Sequence, residues 1–376
     1  MEFLSARQKR IYASMERTPL GTALLTDWFL LTRRQKIAYY RPRIDAAIKN
    51  HSPQADRPGE SDAMARQRRQ IVFAMFVYGI LPDEYYMFRF ADLSPLGRSH
   101  FITDKITVAN LHKLNDYAYL DLFNNKYKTY QRYGQFYGRQ LLRLTGPQDR
   151  ETFMAFAAAN KVFVCKGETG SCGRNVSRID TAAYPSLADL FEKLSGQAAG
   201  TPLVLEPLIR QSAVMSRLNA SSVNTVRLLT LLGDDGQVIY KYPFLKIGRG
   251  GAFVDNGGQG GLLALIDEAT GVITTPGCTE DGARFMRHPD SGTVIPGYVL
   301  PDWPQALQLG RRLAAITPRV RYIGWDLAHT DDGWVVVEGN FASMFVGQQI
   351  CDMIGKREEF CAIVDGLSEL PPAARS

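Results

Sequence analysis

The sequence predicts an α+β fold with a helical N-terminal region, on three observations. Residues 1 to about 118 carry the apolar spacing of helices, whereas from Tyr119 onward short β-rich runs alternate with glycine-rich or polar turns. The third is the stretch Tyr322 to Asn340, YIGWDLAHTDDGWVVVEGN, which reads as a β-hairpin turning at Thr330-Asp331-Asp332-Gly333.

In the N-terminal region the polar segment His51 to Ser61, with two prolines and one glycine, separates two helical stretches. Ala63 to Leu81 has the spacing of a buried helix, which Pro82-Asp83-Glu84-Tyr85-Tyr86 is expected to end. The aromatics Tyr78, Tyr85, Tyr86, Phe88 and Phe90 fit a packed helical layer better than a cofactor box. No catalytic constellation is visible there.

Composition narrows the class. At 376 residues, 45% hydrophobic and 22% charged, the chain has the length for two or three domains and the make-up of an ordinary globular protein. The five cysteines form no CxxC pair and no zinc-ligand spacing, so a reducing, cytoplasmic setting is expected. The first residues lack a basic-then-apolar leader, and no apolar run approaches a membrane span. The net charge of +6 favours anionic partners, with basic residues dense near the N-terminus.

Four later stretches carry chemistry. Lys161-Val162-Phe163-Val164-Cys165-Lys166 is a strand that runs into Gly167-Glu168-Thr169-Gly170-Ser171-Cys172-Gly173-Arg174. Such a loop can cradle phosphate, because glycines let backbone N–H groups approach closely while the lysine supplies charge; a plain hairpin turn has the same composition. Leu203-Val204-Leu205-Glu206-Pro207-Leu208 is a strand broken at Pro207, which cannot donate to a sheet ladder. Arg227 stands as the lone charge in the apolar strand Asn224 to Leu232 and needs an anionic partner. A second glycine-rich segment, Lys246 to Gly261, offers Lys246, Arg249 and Asn256 as polar groups, either towards a ligand or on a surface loop.

The hairpin supplies the most specific signal. In register, Asp326 faces Glu338 and Asn340, whose spacing of two puts both on one side of their strand. Acids on a hairpin are usually solvated, but these are embedded among aromatic and β-branched residues, where an unpaired carboxylate is costly. Oxygen ligands without Cys or His suit a hard cation such as Mg2+.

Taken in order, Asn125-Lys126, Val164-Cys165-Lys166 with its loop, Leu205-Glu206-Pro207-Leu208, Asn224-Thr225-Val226-Arg227 and Trp325-Asp326 through Glu338-Gly339-Asn340 resemble the ATP-grasp superfamily. More narrowly, the chain resembles the sugar-transfer associated ATP-grasp proteins over about residues 75 to 355. The resemblance implies an ATP-grasp fold, two α+β lobes clamping ATP. The small lobe would cover 119–210 and the large C-terminal lobe 211–365, after a helical region 1–118 and before a tail 366–376. It implies that Lys126 and Lys166 contact ATP phosphates, that Gly170, Ser171 and Gly173 close over them, and that Glu206 and Leu208 bracket the adenine hinge. Asp326, Glu338 and Asn340 would hold Mg2+, and Arg227 would steady the transferred phosphoryl group. Two departures stand out. Asn125 occupies a place where the family often has Asp, and Ile209 to Met215 contains no acid for the ribose hydroxyls.

The activity so implied is carboxylate–amine ligation through an acyl phosphate, on a sugar acid or amino acid and in polysaccharide biosynthesis. Kinase chemistry on a hydroxyl, or a non-catalytic nucleotide-binding scaffold, are the alternatives. Expected partners are small-molecule carboxylate and amine substrates and a sugar or polysaccharide acceptor, without nucleic acid and without integral membrane association. His329 is expected to be a satisfied structural histidine.

Overall fold

A computed structural model of the chain describes residues 6–52, 61–170, 176–253 and 260–370. Two compact units emerge, one comprising residues 1–110, 280–282 and 344–366, the other residues 111–279, 283–343 and 367–376.

The first unit is helical. Its longer helices are Ala6–Met15, Pro19–Thr32, Arg34–His51 and Ser61–Val77. Ser61–Val77 buries Ile71, Val72, Phe73 and Ala74 and stops before Gly79, whose φ of 75° suits a residue without Cβ. The next residues do more than end that helix: Pro82–Met87 is a short helix of its own. Pro82 occupies its first turn, where no backbone donor is needed, and Glu84 Oε2 accepts from Leu81 N at 2.7 Å. The late segment is tied in by Gln349, which accepts from Ile102 N at 2.7 Å and donates to Ile102 O at 2.8 Å.

The second unit holds two antiparallel sheets. The smaller has the order β1 (Leu142–Leu144), β4 (Leu203–Pro207), β2 (Val162–Gly167) and β3 (Val176–Asp180). One face of it carries Phe163, Cys165 and Leu205 against Phe153, Leu190, Phe191 and Leu194 of helices Arg150–Ala159 and Leu187–Ala198. Val164, Lys166, Val204 and Glu206 therefore fall on the other face.

The larger sheet has eight strands. In chain order these are β5 (Thr225–Leu232), β6 (Val238–Tyr240), β7 (Phe244–Ile247), β8 (Leu262–Leu265), β9 (Gly277–Cys278), β10 (Arg284–Phe285), β11 (Tyr322–Thr330) and β12 (Gly333–Asn340). Across the sheet they run β10-β9-β8-β7-β5-β11-β12, with β6 also pairing β5. Helix Trp303–Ile316 covers it, and at Gly310 a Cβ would lie 2.9 Å from Leu228 and from Tyr240, so glycine sets that close approach. The expected hairpin is β11–β12, turning at Asp331-Asp332, with a bulge after Asp326.

Candidate active site

Cross-strand register builds the site. On neighbouring strands β5, β11 and β12, Arg227 pairs with Asp326 and Asp326 with Glu338, so three charged side chains form one row on one face. Lys246 on β7 pairs with Thr225, one pleat further along. The apolar residues between them point the other way, and Trp325 is fully buried against Tyr133.

Asp326 is the centre of that row and is buried. Arg227 grips it through Nε (2.6 Å) and Nη2 (3.1 Å), and Lys246 Nζ donates at 2.9 Å. Burial alone would raise the acid's pKa, but Arg227 and Lys246 outweigh it and hold the carboxyl below the usual range. Glu338 behaves oppositely, its pKa raised by burial and then by the negative charge of Asp326. Asn340 donates to Gly324 O at 3.2 Å and to Glu338 Oε1 at 3.4 Å, which fixes the amide on the same face.

Two of this hairpin's three glycines, Gly324 and Gly339, have steric reasons. A Cβ on Gly324 would lie 2.5 Å from Ser343 Cβ and 3.1 Å from Arg227 Cδ, and Ser343 Oγ accepts from Arg227 Nη1 at 3.2 Å. A Cβ on Gly339 would lie 2.7 Å from the Trp325 ring. The pattern acid-Gly-Asn therefore lets the Glu338 and Asn340 side chains straddle a residue pressed on the Trp325 ring.

The smaller sheet contributes the opposing charge. Lys166 Nζ contacts Glu206 Oε1, and Arg139 donates to Glu206 Oε2 through Nη2 at 2.7 Å and Nε at 3.3 Å. Burial would raise Glu206, yet these two cations hold it down to about 2. Lys126 opens helix Lys126–Tyr133 and donates Nζ to Gly170 O at 2.7 Å. Its pKa is lowered by burial and then by repulsion from Lys166, with Glu338 and Glu206 acting against both. Those four groups are thus near neighbours.

Most of the sequence-derived set gathers here: Lys126, Lys166, Glu206, Arg227, Lys246, Asp326, Glu338 and Asn340. Gly170, at φ 110°, forms part of the loop end. Leu208 follows β4 directly and is partly exposed. Arg249 lies past the end of β7, donates to Gly260 O and stands 5.4 Å from the Phe285 ring centre, so its contacts are with the glycine-rich segment and β10. Ser171, Gly173 and Asn256 lie outside the described residues. His329 is satisfied as expected, with Nδ1 2.9 Å from Ser212 Oγ and Nε2 3.1 Å from Asp302 Oδ2.

Sequence reasoning passed over Arg139, which also donates to Val336 O on β12 at 2.9 Å and so links the two sheets. It also passed over Glu168, whose buried carboxylate accepts from Asn125 Nδ2 at 2.9 Å and Arg143 Nη2 at 3.0 Å. The signal for Arg139 was the preceding Gly138, at φ 62°, where a Cβ would lie 2.7 Å from Val335.

A family model described as sugar-transfer associated ATP-grasp matches residues 109–362, more than half of the chain. The chain belongs to that family. Solved structures of other proteins resemble this chain only distantly in sequence. An ADP complex of N5-carboxyaminoimidazole ribonucleotide synthetase matches at 14% identity and TM-score 0.41, over 67% of this chain and 54% of that one. D-alanyl-alanine synthetase A from Vibrio cholerae O1 biovar eltor matches at 11% identity and TM-score 0.38, over 64% and 60%. D-cycloserine synthetase matches at 15% identity and TM-score 0.38, over 77% and 82%. The chain thus spans little more than half the length of the first two. No curated protein matches it. Its α+β architecture agrees with the fold class expected of an ATP-grasp protein.

Proposed function

We propose that this ATP-grasp chain is an ATP- and Mg2+-dependent carboxylate–amine ligase that forms ADP and phosphate and joins a sugar acid or amino acid to an amine. The observation that carries the reading is a pairing of like charges. Lys126, whose Nζ donates to Gly170 O, lies near Lys166 of β2, and Asp326 stands directly opposite Glu338 across the hairpin, so that each pair sets like charges together. A polyphosphate together with a divalent cation relieves both.

The donor set fits Mg2+. Asp326 and Glu338 face each other with the Asn340 amide on the same side, all oxygen chemistry, and among the described residues Glu338 feels the charges of Lys246 and Lys166 without the bidentate arginine that Asp326 has. Among the described residues no cluster of three or more His, Cys, Asp or Glu side chains competes with it. Mg2+ held by Asp326, Glu338 and Asn340 would supply positive charge to the terminal phosphates.

The chain's own groups do the rest. Lys126 and Lys166 draw in the phosphates, and Glu206 with Arg139 keeps the Lys166 ammonium aimed from β2. Arg227 holds Asp326 ionised from one side, with Lys246 beside it, and would steady the phosphoryl group in transfer. Transfer of the γ-phosphoryl to a carboxylate oxygen releases ADP; attack of the amine on the acyl carbon then expels phosphate. No side-chain nucleophile is needed.

The test is ADP release from Mg-ATP with pooled sugar acids and amino acids in the presence of hydroxylamine, with products read by mass spectrometry. A hydroxamate names the carboxylate. A phosphorylated hydroxyl instead makes the chain a kinase, and silence from every pool overturns catalysis on small molecules. Glu338→Ala should lower turnover on the order of a hundredfold or more while the circular dichroism stays unchanged.

A further inference from the structure

The helical unit carries a surface the ATP site does not use. Helix Pro19–Thr32 turns Leu25 and Phe29 inward, yet leaves Leu20 (71%), Leu24 (55%), Trp28 (41%) and Leu31 (62%) exposed. Spacings of four, four and three place these four side chains on one side of the helix. Ile11 and Tyr39, from the helices before and after, are exposed as well. Asp27 shares that side, and Arg69 Nη1 covers its charge at 2.7 Å.

Charge identifies what this face meets. Residues 6–51 contain ten Lys and Arg against three Asp and Glu, whereas the rest of the chain contains 34 against 35, so the whole positive excess resides in these three helices. Each of the three acids is taken by an arginine from elsewhere in the unit: Glu16 by Arg98 at 2.9 Å, Asp27 by Arg69, and Asp45 by Arg68 at 2.6 Å. Arg17, Arg33, Arg34, Lys36 and Arg41 are exposed. Beside the stripe lies a groove of about 110 Å³, walled by Leu30, Ile37, Ile44 and Val72 with Arg41 and Arg69 at its edge. Arg68 also lines it; Arg68 and Arg69 are paired with Asp45 and Asp27, so apolar walls with Arg41 at the edge are what would match an anionic amphiphile. Helix Pro19–Thr32 supplies leucines and a tryptophan but no cation of its own; exposed Arg17 and Arg33 flank its two ends and Arg34, Lys36 and Arg41 follow on the next helix, a combination of apolar and basic groups suited to a lipid interface rather than to a span. No described helix is long and apolar enough to cross a membrane.

We infer that helices Ala6–Met15, Pro19–Thr32 and Arg34–His51 form a docking face for an anionic lipid bilayer, with the Leu20–Leu31 stripe inserted among the acyl chains and the surrounding cations on the headgroups.

The full chain should co-sediment with phosphatidylcholine vesicles containing about 30% phosphatidylglycerol and not with phosphatidylcholine alone, and added salt should weaken the binding. Trp303, Trp325 and Trp334 are buried, so a blue shift of emission on binding reports Trp28 and should vanish in Trp28→Phe, which still binds. Replacing Leu20, Leu24 and Leu31 by Ser should lower binding roughly tenfold or more without loss of helix. Arg34→Gln with Arg41→Gln should lower it by about tenfold with the apolar stripe intact. Failure to bind anionic vesicles at low salt overturns the inference. So does binding that leaves Trp28 unmoved and survives the serine substitutions, which marks charge adsorption that DNA would share. Self-association abolished by the serines, without vesicle binding, would assign the face to a second copy of the chain.

Discussion

Asn125 uses both ends of its amide, accepting from Lys128 N at 2.9 Å to cap a helix and donating to buried Glu168 at 2.9 Å. An aspartate could cap equally well but would set a second carboxylate against Glu168, which already depends on Arg143 for compensation. The departure from the family pattern thus has a local cause. Asn125→Asp should cost about 1–3 kcal/mol in urea unfolding, because a buried acceptor loses its donor and gains a like charge. Asn125→Ala, which only removes the donor and the cap, should cost less if repulsion is the main effect. Gly324 is as constrained. Gly324→Ala must push Ser343 and the Arg227 side chain aside, so ATP turnover should fall while the strand pairing seen by circular dichroism is retained.

The ion pair of Arg139 with Glu206 spans elements: Glu206 belongs to β4, while the same guanidinium reaches the Val336 carbonyl on β12. Breaking it strands a buried carboxylate on Lys166 alone. Arg139→Met should destabilise the sheet-bearing unit by roughly 3 kcal/mol, and the double variant Arg139→Met/Glu206→Gln should recover part of that loss. Additive losses would refute the coupling. None of this was legible in the sequence, because partners 67 and 197 positions away leave no periodic trace. By contrast the row Asp326–Glu338 was legible, since a short turn and a period of two fix which residues face each other. Arg227 was legible as a charge in need of a partner; that the partner is Asp326, one strand over, depended on the pairing of β5 with β11. At Pro82 the sequence suggested only an ending, because a proline that stops one helix is also suited to begin the next.

For the whole molecule, the division into units cuts across chain order: residues 344–366 group with the N-terminal helices through contacts such as Gln349 with Ile102, which no pattern in either segment announces. The two units should also differ in their response to pH. Burial pushes Glu84 in the helical unit up from 4.5 to about 8. Between those values the folded unit keeps a proton that the unfolded chain has released, so its stability should fall as pH rises through that window. Urea unfolding at pH 5 and pH 8 followed by helix content should show the decline, and Glu84→Gln should flatten it. Glu206 in the sheet-bearing unit works in reverse, contributing fully above 4.5 and losing its contribution as pH falls towards about 2. Strand order also carries a kinetic cost. β5 is complete at Leu232, but its partner on one edge, β11, begins 90 residues later at Tyr322. On a ribosome adding about 5–20 residues per second, that edge waits roughly 5–20 s with a row of open hydrogen-bonding groups. During that interval Arg227 has no Asp326 to hold, so a nascent chain halted before the last hairpin offers an aggregation-prone strand and an arginine without its carboxylate to whatever chaperone meets it first.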